Sequence, residues 1–199
     1  MSGLVAVASL REFFKQLLLE ATDHQRVQLA EVTEFYLVNL LAEFAAAEKL
    51  FAEDEGGKRG QEPLALLYYR ALQQSGRSEK IRTLRRLGDT SLYRVGFFST
   101  SLRDSPVGPD YYIQMGGRAY GQLANLARPG AFASAYQELC EKFRALVEVL
   151  EEISARGMVT AGPDSVLKVY ESWVRTGSDR LERVLVDAGI VLPKKGLPN

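Results

Sequence analysis

The chain has 199 residues, 46% of them hydrophobic and 25% charged, and its 25 basic and 25 acidic side chains cancel to zero formal net charge. That length suits one domain with a real core, and the neutral balance provides no overall field for nucleic acid or an anionic membrane. A single cysteine, Cys140, and a single histidine, His24, exclude an internal disulfide framework, Cys₂His₂ zinc sites and the paired Glu-x-x-His set of di-iron bundles.

The opening stretch MSGLVAVASLREFF has no basic region before its short apolar run, so no signal peptide is expected. No run approaches the roughly 18 consecutive apolar residues of a membrane span. A cytoplasmic protein is the expectation. Helical periodicity then dominates the chain, and no segment shows sustained strand alternation. A first helix is predicted over about 9–23, with Leu10, Phe13, Phe14, Leu17 and Leu18 on one face. A second, about 31–51, contains FYLVNLLAEFAAAEKLF, whose apolar residues nearly encircle it and place it at the centre of the fold. The charged, glycine-rich EDEGGKRGQ at 53–61 reads as a mobile loop, and Pro63 suits the first turn of a third helix ending near Gln74.

A fourth helix is predicted from about Ser78 to Leu102, and Pro109 opens a fifth carrying DYYIQMGGRAYGQLANLA. A sixth spans about 132–156, Gly157 to Pro163 forms a loop, and Asp164 or Ser165 caps a seventh that runs to about Ala188. The tail from about residue 189 to 199, with two prolines, should be extended. The expected architecture is a single all-α domain over 1–199, a bundle of about seven helices.

Charge is segregated along the chain. Residues 31–62 hold eight acidic and three basic side chains, whereas 68–104 hold eight basic and three acidic. Complementary solvated helix faces account for this. RSEKIRTLRR, residues 77–86, supplies a basic face for an anionic ligand as the alternative, but no aromatic interleaves it, so nucleic acid is not an expected partner.

The fourth and fifth helices carry the candidate site. Ile81, Leu84, Gly88, Leu92 and Val95 share one stripe, and Met115, Ala119, Leu123 and Leu126 form another beside Gly117 and Gly121. Glycine within a helix costs about 1 kcal/mol relative to alanine, so these positions need a reason. Close packing of Gly88 and Gly117 between the two helices is the economical one, because small residues let backbones approach. The alternative is a pocket between these helices for a flat ligand, and the residues that would line it are Arg85, Gly88, Asp89, Tyr93, Tyr112, Gly116, Gly117, Arg118 and Tyr120. Asp89 is placed to pair with Arg85 or Arg86 one turn back. Cys140 is expected to be an inert buried thiol, and Tyr170, Trp173 and Gly177 to be core of the last helix.

The segment LLLEATDHQ, ending near His24, resembles the proximal-histidine helix of heme oxygenases, and RRLGDTS resembles the start of that family's glycine-rich distal helix. The resemblance covers some fifteen residues. It implies an all-α fold, a tetrapyrrole held by His24, and Asp89 as the aspartate that orients water above the heme. The chain departs from that pattern where LYRV replaces the family's second glycine pair, and its histidine and Gly-Asp pair are too close in sequence for the family's helix order. No cofactor and no metal site is therefore expected, His24 being the one long-shot ligand. No nucleophile elbow, P-loop or dinucleotide fingerprint is present. The chain reads as a protein that acts by binding another protein or by self-association, without evident catalytic chemistry. A ligand-binding helical bundle or enzyme, with tetrapyrrole or another small molecule between the fourth and fifth helices, is the alternative.

Overall fold

The computed structural model describes residues 2–53, 63–103 and 105–193. Nine α-helices and no strand occur among the described residues: α1 (Ser2–Gln25), α2 (Glu31–Glu53), α3 (Leu64–Gln73), α4 (Arg77–Arg103), α5 (Pro109–Leu126), α6 (Ala131–Glu141), α7 (Phe143–Ala161), α8 (Pro163–Thr176) and α9 (Asp179–Asp187). The all-α class holds, with two more helices than expected. The chain forms two compact units, residues 1–150 and 151–199, and their boundary falls within α7. The loop expected at 53–61 lies almost wholly outside the described residues, as does the tail beyond Pro193.

In the first unit, α4 packs along α5, α5 along α6, α3 along α4 and α1 along α2. The stripe predicted on α4 is the buried one, with Leu84, Leu92 and Val95 inaccessible to solvent beside Leu87. Met115, Ala119 and Leu123 likewise turn inward on α5. α2 buries Leu37, Val38, Leu40, Leu41 and Ala42 but leaves Phe35 65% exposed, so it is not enclosed on all sides as its apolar content suggested. At the α1–α2 turn, the Lys142 ammonium donates to the Gln28 carbonyl at 2.6 Å, and the Ala30 amide donates to the Glu138 carboxylate at 3.0 Å. Arg77 closes the end of α5 by donating to the Leu126 carbonyl (2.6 Å), where a helix C-terminus favours a cation.

The single helix expected over 132–156 is broken at Lys142, whose backbone leaves the helical region (φ −98°, ψ 13°). No glycine or proline marks this break. The expected loop at 157–161 is instead the last part of α7. The chain turns at Gly162, whose φ of +136° is one that L side chains rarely adopt, and Gly162 rather than Asp164 or Ser165 is the cap of α8, with Pro163 in its first turn. The helix expected to reach Ala188 ends at Gly177 in a left-handed cap (φ +62°), after which Ser178 caps α9 by accepting from the Leu181 amide.

The second unit has its own core of Ala155, Val169, Trp173, Val184 and Leu185. Glu152, 1% exposed, is ion-paired with Arg156 at 3.1 Å, and Arg156 reaches Asp187 at 2.9 Å. A buried carboxylate is tolerable only with such a partner.

Candidate functional site: an aspartate held by two tyrosines

Asp89 lies one turn after Arg85 on α4, and the side chain that the sequence paired with it is there. The Arg85 guanidinium stands 3.7 Å from Asp89 Oδ2. The other carboxylate oxygen, Oδ1, accepts two phenolic hydrogen bonds, from Tyr36 of α2 at 2.5 Å and from Tyr120 of α5 at 2.8 Å. One carboxylate thus joins three helices. Tyr120 is completely buried, and its ring is stacked on Tyr136 of α6 with centroids 6.2 Å apart and an interplanar angle of 16°. Tyr36 meets both of those rings edge-on.

Burial pushes the Asp89 carboxyl up to about 6 from an ordinary 3.8. The hydroxyls of Tyr36 and Tyr120 and the charge on Arg85 pull it the other way, and Glu43 adds to the rise. The phenols of Tyr36 and Tyr120 are raised, first by burial and then by the negative charge of Asp89, so both stay protonated donors. A carboxyl poised near 6 is chemically capable of proton exchange at physiological pH. Its surroundings work against that use, because Oδ1 is filled by two donors and the side chain is only 16% exposed.

The structure brings Arg85, Gly88, Asp89 and Tyr120 together and disperses the other expected lining residues. Gly88 sits against the Tyr120 ring, where a Cβ would lie 2.8 Å from Cε1. Gly116 sits against Phe143 and Ser91, where a Cβ would lie 2.4 Å and 2.8 Å from them. Gly117, expected to pack against α4, has nothing within 4 Å of its Cβ direction, and Arg118 is exposed. The close approach therefore belongs to Gly116; one residue along a helix turns the side-chain direction by about 100°. Tyr93 is stacked between Phe44 and Phe97, with centroids at 4.4 and 4.6 Å, and the Tyr112 hydroxyl accepts from Arg94 at 3.4 Å.

His24 is exposed near the end of α1. Cys140 is half-buried rather than enclosed. No cluster of three or more metal-ligating side chains occurs among the described residues, and no described helix is long and apolar enough to cross a membrane. Tyr36 and Tyr136 are the members that sequence reasoning missed. The one signal for Tyr36 was a hydroxyl within the apolar run FYLVNLL, since a buried tyrosine requires a hydrogen-bond partner. Comparison with protein families, curated proteins and solved structures finds no match for this chain.

Proposed function

We propose that this chain is a non-catalytic binding protein that acts by associating with a second copy of itself. The observation that carries the proposal is the set of apolar side chains left in solvent on α3. Leu66, Tyr69 and Leu72 are 50%, 60% and 49% exposed, at three-residue spacing, opposite the buried Leu64, Leu67 and Ala71. A helix with apolar residues on both faces is short of a partner on one of them.

Charge favours a second copy as that partner. Arg70 on α3 and Arg82 and Arg86 on α4 are exposed, as are Glu31 and Glu43 on α2. A chain of zero net charge with segregated signs is complementary to itself, and complementary potentials orient association. Two further features support binding over catalysis: the room beside Gly88 and Gly116 is taken by Tyr120 and Phe143, and Asp89 is engaged by Tyr36, Tyr120 and Arg85. The protein acts in the cytoplasm on this proposal, in keeping with the free thiol of Cys140.

Light scattering coupled to size exclusion should give a mass twice the 22.1 kDa of the chain. Tyr69→Glu combined with Leu72→Glu should give the monomer mass with an unchanged melting temperature. A monomer at every concentration, or a dimer that survives the double substitution, would overturn the proposal.

A further inference from the structure

We infer that α9 is a releasable latch on the second unit, docking as a helix and detaching as unfolded chain, a property that does not rest on self-association. Docked, α9 contributes Val184 and Leu185, 2% and 0% exposed, to a core shared with Ala155, Val169 and Trp173. Leu181, Ile190 and Leu192 pack partly buried against the same core. An ion pair to α7 closes each end. Arg180, near the start of α9, reaches Glu151 at 2.6 Å, and Asp187, its last residue, meets Arg156 at 2.9 Å.

The placement of those two charges separates the docked helix from the free one. Asp179 and Glu182 suit the first turn of a helix, but Arg180 lies in that turn too, and no cation accompanies Asp187 in the last one. A cation at the N-terminus and an anion at the C-terminus oppose the helix dipole. Nine residues are also too few for a helix to hold alone, since isolated helices shorter than about 12–15 residues are marginal in water. α9 is therefore helical only while Glu151 and Arg156 complement its ends and the shared core holds its apolar face. Undocking and melting are one event.

Two features of the seat favour release. Arg156 also pairs with the buried Glu152 at 3.1 Å, so the departure of Asp187 leaves neither of them without a counter-charge. The Trp173 indole N–H is buried and has no hydrogen-bond partner among the described residues. A buried donor without an acceptor costs free energy, and release gives it water. The left-handed Gly177, which no side chain restricts, is the joint between α8 and α9. Release uncovers Ala155, Val169 and Trp173, so α9 controls whether that apolar face meets solvent.

Backbone and indole hydrogen exchange of the full chain, followed by nuclear magnetic resonance, tests the inference. Amides of residues 183–187 should exchange as one set, with protection at least about 100-fold below that of Leu92 and Leu123, while the Val169 and Trp173 amides of α8 outlast them. The chain has one tryptophan, so its indole proton is unambiguous, and its protection should equal that of α9. Arg180→Gln should lower the protection of α9 and of the indole by the same factor, about tenfold, with α8 and α4 unchanged. Asp187→Asn should lower both by less, because Arg156 keeps Glu152. Protection that rises residue by residue from 187 toward 183 is fraying and overturns the latch. So does loss of α8 together with α9, an indole that does not keep pace with α9, or an Arg180→Gln variant that exchanges as the parent does.

Discussion

Asp89→Ala is expected to be less stable than Asp89→Asn by about 2–4 kcal/mol at neutral pH, although both remove the same charge. The asparagine Oδ1 accepts from both Tyr36 and Tyr120, whereas alanine leaves both hydroxyls without their acceptor, at about 1–3 kcal/mol for each buried one. The parent chain adds a pH signature. Its folded state holds the Asp89 proton up to about 6, while the ordinary value for the unfolded chain is 3.8. Stability from this group is therefore fully present below about pH 4 and is lost as pH rises through 6. The loss amounts to about 3 kcal/mol, at 1.36 kcal/mol for each pH unit between the two values. Relative to Asp89→Asn, the parent should weaken between pH 4 and pH 6 and run parallel above it. Urea melts of the three proteins across pH 4–8 measure both effects, and the other carboxylates cancel in the comparison. Equal stability of the two variants would mean that Asp89 is not the acceptor that joins α2, α4 and α5.

Gly96→Ala and Gly116→Ala are expected to destabilise the first unit, while Gly117→Ala stabilises it. At Gly96 the new Cβ would lie 2.4 Å from Leu150 Cβ, an atom fixed to the α7 backbone. At Gly116 it would meet both Phe143 and Ser91 inside 3 Å. Overpacking costs about 1–3 kcal/mol and sometimes more, against about 1 kcal/mol gained from alanine's helix propensity. The net loss should reach about 2 kcal/mol at each site and be larger at Gly96, where less can move. Gly117 faces open space and keeps only the propensity gain, up to about 1 kcal/mol. At Gly88 the obstacle is the Tyr120 ring, so Gly88→Ala should be non-additive with Tyr120→Phe, the first pushing aside the ring whose hydroxyl the second removes. Thermal melts rank all of these, and a stabilised Gly96→Ala would mean that α4 and α7 are not in close contact there.

Elements and faces were legible because they depend on local periodicity. Leu84, Leu92 and Val95 on α4, and Met115, Ala119 and Leu123 on α5, are buried as their spacing requires. The pairing of Asp89 with Arg85 was legible too, since one helical turn sets it. The end of a helix at Gly177 and the Ser178 cap that follows have a local signal, a glycine succeeded by a capping serine, although apolar periodicity alone runs on to Ala188. The break at Lys142 had no local sign: its ammonium reaches the Gln28 carbonyl, a tertiary contact, at that point. The Phe98 kink in α4 is equally silent, lying in an aromatic run without proline.

The site divides in the same way. By itself the sequence determined that α4 and α5 are amphipathic, that glycines interrupt their apolar faces, and that Asp89 has a cation one turn away. Only the tertiary structure decided that Tyr36, 53 positions before Asp89, and Tyr120, 31 positions after it, donate to the same carboxylate oxygen. It also decided that Gly116 rather than Gly117 takes the close contact, since either glycine satisfies local helical preference and only the facing Phe143 and Ser91 distinguish them. Periodicity constrains which side of a helix is buried. Which polar group meets which across helices depends on rotation and depth of packing, and these follow from the side chains of all the packed helices at once.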